Sequence, residues 1–106
     1  MDEKKLGTVC ISPGVLATIV RLTALGVEGV SRLSPGGVGT FLTRETPGVK
    51  VQVEDNQVMV DLYIVARRDT NLLQVGTQVQ QRVAEAIHHM VGMGIRAVNV
   101  YIQDVD

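Results

Sequence analysis

The chain has no tryptophan, one phenylalanine and two tyrosines among its 106 residues. Its core therefore has to be packed almost entirely by Val, Leu, Ile, Ala and Met. A single cysteine, Cys10, excludes an intrachain disulfide framework and a multi-cysteine zinc site, and it fits a reducing cytoplasm. The expectation for Cys10 is a buried free thiol in a strand. Charge of one sign is also lacking: ten basic side chains against eleven acidic ones leave a net charge of −1. Such a balance supplies no global field for nucleic acid or an anionic membrane, so nucleic acid is not an expected partner. No stretch approaches the roughly 18 consecutive apolar residues of a transmembrane helix, and MDEKKLGTV has no apolar run long enough for a signal peptide. The expectation is a soluble cytoplasmic protein without direct membrane insertion, reaching a membrane only through a partner.

What remains is an ordered, globular composition, 45% hydrophobic and 20% charged. The length suits one domain spanning residues 1–106. The clearest pattern is Gly48 to Ile64, GVKVQVEDNQVMVDLYI. Val49, Val51 and Val53 alternate with Lys50, Gln52 and Glu54; Val58, Val60, Leu62 and Ile64 alternate with Met59, Asp61 and Tyr63. Two strands with one aliphatic and one mixed face follow from this period of two. Asp55-Asn56-Gln57 supplies turn residues that tolerate a left-handed backbone.

The flanking segments read as cover for that hairpin. Leu6 to Ile11 reads as a short N-terminal strand, and Ser12-Pro13 then announces a helix, serine as cap and proline at the first helical position. Val15, Leu16, Ile19 and Leu22, with Val20 and Leu25, continue it to Gly26. Few of its residues are polar, which suggests cover on more than one side, a partner subunit being one source. Residues 34–47 are rich in glycine and proline and read as a flexible loop, functional or merely mobile. Asn71 is placed to cap a second helix, with the Gln74 side chain able to reach back. Leu72, Val75, Val79, Val83, Ala86, Ile87 and Met90 form its apolar stripe, and Gly92 and Gly94 end it. Val98, Val100 and Ile102 mark a last strand joined by a crossover. The predicted fold is α+β, a two-layer sandwich in the order β-α-β-β-α-β, with three main strands, the short N-terminal strand, and two helices on one face.

Candidates for chemistry are few. His88 and His89 are adjacent, so on a helix they point about 100° apart and cannot chelate one ion as an i, i+4 pair would. Pro35-Gly36-Gly37-Val38-Gly39-Thr40 lacks the lysine a phosphate loop requires. Asp61 has no acid partner, nucleophile or oxyanion hole nearby in sequence, and a salt bridge to a cross-strand neighbour, such as Lys50 on the strand that also carries Gln52, is the expected role. No catalytic residue, metal ligand or cofactor is predicted. The mixed sheet face is the candidate partner surface: Lys50, Met59, Asp61, Tyr63, Asn99 and Tyr101. Tyrosines on an open sheet also suit a single-stranded RNA reader, although no glycine-aromatic RNP segment is present.

The segments GVKVQV, VMVDLYIV, LLQVGTQVQQRVAEAI with Met90 and Gly92, and VNVYIQ resemble the alkaline shock protein, or Gls general-stress, family of bacterial cell-envelope stress response proteins. GTVCIS and VEGVSRL near the front resemble it too, so the likeness spans nearly the whole chain. Where the family usually has a glycine and an Ile-Pro before the second helix, this chain has Arg67 to Leu73. The resemblance implies a non-enzymatic cytoplasmic interaction or scaffold protein of envelope homeostasis, able to form homo-oligomers and, in some members, recruited by a membrane-anchored partner.

Overall fold

The computed structural model describes residues 6–35 and 47–106. The first helix, α1 (Pro13–Leu25), starts where Ser12 accepts a hydrogen bond on its Oγ from the Val15 amide at 3.3 Å. It buries Leu16, Ala17, Val20 and Ala24, a stripe displaced from the expected one. Val15, Leu22 and Leu25 stay exposed, and Ala17 and Ala24 join Leu16 and Val20 on the buried face instead. After Gly26 the chain enters β1 (Val30–Leu33), and later β2 (Val49–Glu54). Asp55 and Asn56, with φ of 53° and 61°, turn the chain into β3 (Gln57–Ala66). Two consecutive left-handed residues match the twist of a hairpin, which is why the polar pair sits there.

β3 is the centre of the sheet. β2 pairs antiparallel with its first half, Val49 opposite Leu62 through Glu54 opposite Gln57. β1 pairs antiparallel with its last residues, Leu33 opposite Ile64 and Val30 opposite Ala66. The two short strands thus lie end to end along one edge, interrupted beside Tyr63: the Ser34 amide donates to the Tyr63 carbonyl at 2.7 Å, and the Tyr63 amide donates to the Gly48 carbonyl at 2.9 Å. The chain leaves and re-enters the sheet at one residue. Gly48, at φ +85°, makes the return possible, because a Cβ there would lie 2.7 Å from the Ser34 carbonyl oxygen. Most of the glycine-rich loop predicted at 34–47 lies outside the described residues.

The second helix, α2 (Leu72–Ala86), is capped by Asn71, whose Oδ1 accepts from the Gln74 amide at 3.0 Å. It buries Val75, Val79 and Val83. A single π turn, Ile87–Val91, follows and ends at Gly92 with φ 80°. The wider turn shifts the stripe: Val91 packs on the core, while Met90, expected there, is 69% exposed. β4 (Gly94–Val105) then runs parallel to β3 along its other edge. Val58, Val60, Leu62 and Ile64 pack with Val98 beneath the two helices, so the core lies between one sheet face and α1 plus α2.

The α+β sandwich with both helices on one face is as predicted, but its fourth strand is not the N-terminal one. Residues 6–12 form no regular structure and are exposed, Cys10 included; the extra strand is β1, after the helix. Leu6–Ile11 has strand-like residues, but among the described residues no neighbouring strand pairs with them, and a lone extended segment has no ladder to hold it.

Candidate interaction surface

The face of the sheet opposite the helices carries every residue assigned from the sequence to a partner surface. Strand register sets them in rows. Lys50 lies opposite Asp61, which lies opposite Asn99; one step along, Gln52, Met59 and Ala97 align; on the other side Tyr63 aligns with Tyr101. Met59, Asp61, Tyr63 and Asn99 are half-buried, and Lys50 and Tyr101 are exposed.

The tyrosine rings are stacked, their centroids 4.9 Å apart and planes 16° from parallel. Parallel strands bring residues of equal register side by side, so the stack follows from Tyr63 and Tyr101 pairing across β3 and β4. Asp61 is held by Asn99 rather than by Lys50: Nδ2 of Asn99 donates to Oδ1 of Asp61 at 2.9 Å. The expected salt bridge is therefore corrected. Lys50 is in register with Asp61 but exposed, and among the described residues the ion pairs are Arg96–Glu54 at 3.1 Å and Arg32–Asp106 at 3.7 Å. A short amide on the adjacent parallel strand reaches the carboxylate without ordering a long side chain.

Beyond the tyrosines, Asp106 ties β1 to the end of β4. Ser31 donates its hydroxyl to the Asp106 carboxylate, and the Arg68 amide and Nε donate to its carbonyl at 2.9 and 3.1 Å. The Ser31 hydrogen bond, helped by Arg32 and Arg68, holds the Asp106 carboxyl below the usual value of 3.8 against a smaller opposing effect of desolvation. This cluster was not anticipated from sequence. Its members are as much as 75 positions apart, and only the sheet register brings them together.

The other sequence candidates do not join the surface. His88 and His89 stand exposed on the π turn, edge to face with centroids 5.2 Å apart. Among the described residues no three His, Cys, Asp or Glu side chains gather as a metal site, and no helix is long and apolar enough to cross a membrane. A groove of about 310 Å³ was also missed; it lies between the start of α2 and β4, lined by Leu72, Leu73, Gly76, Val100 and Ile102 among others. Adjacent Leu72 and Leu73 were the available signal, since one helical stripe cannot bury both.

A sheet of three strands' width, covered on one face by two antiparallel helices and displaying stacked aromatics on the other, defines a small α+β domain with an open sheet. The same fold occurs in the MamM CTD, which superposes with a TM-score of 0.54 at 12% identity over 84% of this chain and 94% of that one. The manganese form of a MamM CTD variant gives 0.53 at 12% identity, with the same coverage. More specifically, the chain belongs to the alkaline shock protein 23 family, described as having a cell envelope-related function, whose family model matches residues 1–106. It is similar to the uncharacterized protein YloU of Bacillus subtilis, 28% identical over 95% of this chain and 90% of that protein. The uncharacterized protein Spy1535 of Streptococcus pyogenes is 27% identical over 99% of this chain and 84% of its own length.

Proposed function

We propose that this protein works by binding rather than by catalysis, as an interaction or scaffold component of cell-envelope homeostasis and stress response. Its place is the cytoplasm, with membrane association through an anchored partner, and the working surface is the open sheet face. The observation that carries this reading is the arrangement around Asp61. Its carboxylate is engaged by Asn99, and beside that pair a stacked pair of tyrosines offers a flat, amphipathic patch. Tyrosine presents large contact area with a polar tip and few rotatable bonds, which suits a protein contact. A neutral amide holding a carboxylate has no nucleophile to activate and no second acid to share a proton with. The family's envelope-related description supports the biological setting.

Replacing both rings, Tyr63→Ser with Tyr101→Ser, is expected to reduce capture of binding partners from the native host by about tenfold or more, with the circular dichroism spectrum and monomer fold unchanged. Undiminished capture would remove the sheet face from the reading. The stacked rings also favour a second reading, base stacking by single-stranded RNA. Gel shift at low salt distinguishes them: a complex with single-stranded RNA that weakens as salt rises and disappears in the double variant would replace the protein-binding reading.

A further inference from the structure

The backbone of β4 is hydrogen-bonded along one side only, and the register fixes which residues face the open side. Tyr63 directs both its amide and its carbonyl toward the β1–β2 edge, to Gly48 and Ser34. Alternation along β3 then turns the corresponding groups of Leu62 and Ile64 toward β4. In a parallel ladder a residue bonds to the two neighbours of its partner, so Leu62, in register with Val100, bonds to Asn99 and Tyr101. Val98, Val100 and Ile102 are left with amide and carbonyl directed outward, where among the described residues no strand lies. The Val98 carbonyl agrees with this, because it accepts from Nε2 of Gln80 on α2 at 3.0 Å. A side-chain amide, the nearest substitute for a peptide, thus meets one group of the edge.

The groove between α2 and β4 runs beside the rest of this edge. Gln80 lies at Val98, and a Cβ on Gly76 would lie 4.0 Å from Ile102 Cδ1, so α2 runs opposite to β4 and its first residues, Leu72 and Leu73, stand at the Ile102 end. Leu73 is 82% exposed, Gly76 leaves the groove without a side chain at its middle, and no charged residue lines it. We propose that edge and groove together bind an extended segment of another protein that carries two apolar side chains separated by one residue. Facing residues of paired strands share a face, so an apolar residue opposite Ile102 turns toward Leu72, Leu73 and Gly76. The second, opposite Val100, lies over Gly76 and Thr77, and Gln80 closes the site at Val98.

Backbone chemistry selects a strand over other apolar occupants. A helix or an acyl chain laid along this edge would strip water from the outward amides and carbonyls of Val100 and Ile102 and offer them no partner, a cost per group comparable to a lost hydrogen bond. An extended chain presents donors and acceptors at the same repeat of about 7 Å, every second residue, and satisfies them while its apolar side chains enter the groove. The uncharged lining leaves selection to the size and spacing of those two side chains.

This site is separate from the open sheet face, so binding here should survive Tyr63→Ser with Tyr101→Ser, and its failure would leave the sheet-face reading standing. The test titrates the full chain with a panel of capped heptapeptides carrying Val, Ile, Leu or Phe at their third and fifth positions and Ser, Thr or Lys elsewhere, followed by amide NMR and hydrogen exchange. In the free protein the Val100 and Ile102 amides should exchange fast while those of Asn99 and Tyr101 are protected; bound peptide should shift and protect the first pair. Leu73→Asp, at an exposed position, and Gly76→Leu, which fills the groove and suits a helix better than glycine, are each expected to weaken binding at least about tenfold with the circular dichroism spectrum unchanged. Methylating the peptide nitrogens of the two apolar residues should abolish it, because those amides face β4. No binding by any peptide of the panel, undiminished binding of the methylated peptides, or variants that bind as the native chain does would each overturn the proposal. So would protection of Val100 and Ile102 that rises with protein concentration in the absence of peptide, which would place a second copy at the edge.

Discussion

Leu62 and Asp61 are consecutive residues of one strand, yet they belong to two different environments. Leu62 is fully buried beneath the helices, with Val58, Val60 and Ile64; Asp61 sits on the uncovered face between Lys50 and Asn99. The helix-covered face is aliphatic and nearly free of polar atoms, so its energetics are those of packing. On the open face a hydrogen bond and a ring stack order the side chains without hiding them from water. The difference separates the residues that hold the fold from those available for contact, at a spacing of one residue.

The largest effect tests that separation directly. Leu62→Ala leaves a cavity against α1 and α2 and is expected to cost about 2–5 kcal/mol in denaturant unfolding. Asp61→Ala removes one half-buried hydrogen bond and is expected to cost about 1 kcal/mol. Equal costs for the two would mean that the open face is as structural as the covered one.

A smaller loss is expected where the segmented edge meets the centre of the sheet. Gly48→Ala places a methyl group 2.7 Å from the Ser34 carbonyl oxygen in a backbone at φ +85°. Relief requires moving backbone on both sides of Tyr63, and a cost of about 1–3 kcal/mol is expected in the same unfolding assay. Hydrogen exchange checks the mechanism: the Ser34 and Tyr63 amides should lose protection while those of α2 keep theirs, and uniform loss would show that the site is not local.

Both strands of the hairpin, the Ser12-Pro13 start of α1 and the Asn71 cap of α2 are legible in the sequence because each is decided within a few residues. Alternation, a cap and a turn pair need no distant partner. The candidate surface was legible as a set, since alternation places Lys50, Asp61, Tyr63, Asn99 and Tyr101 on one face. Their pairing was not, because Asn99 displaces Lys50 at Asp61 only once β4 is parallel to β3 and in register. Residues 6–11 read as a strand by composition, but a strand also requires a neighbour, which the described residues of the isolated chain do not supply. Likewise the π turn leaves no local signature in Ile87 to Val91, and it moved Met90 off the core.

The smallest effect concerns the far end of the open face. There Ser31 donates to the Asp106 carboxylate and holds its pKa below 3.8, with Arg32 and Arg68 acting in the same direction. A carboxyl whose folded pKa is depressed stabilises the fold fully above its unfolded value. That contribution is lost as pH falls through the lower folded value. In Ser31→Ala the largest cause of the depression is gone, so the folded and unfolded values converge. The melting temperature of the native protein should therefore fall more on acidification below pH 3.8 than that of the variant. Because the group is exposed and its partners are open to salt, the gap between the two curves should be small and should shrink further at high ionic strength. Identical curves would mean that the Ser31–Asp106 contact, unlike the Asn99–Asp61 pair on the same face, does not persist in solution.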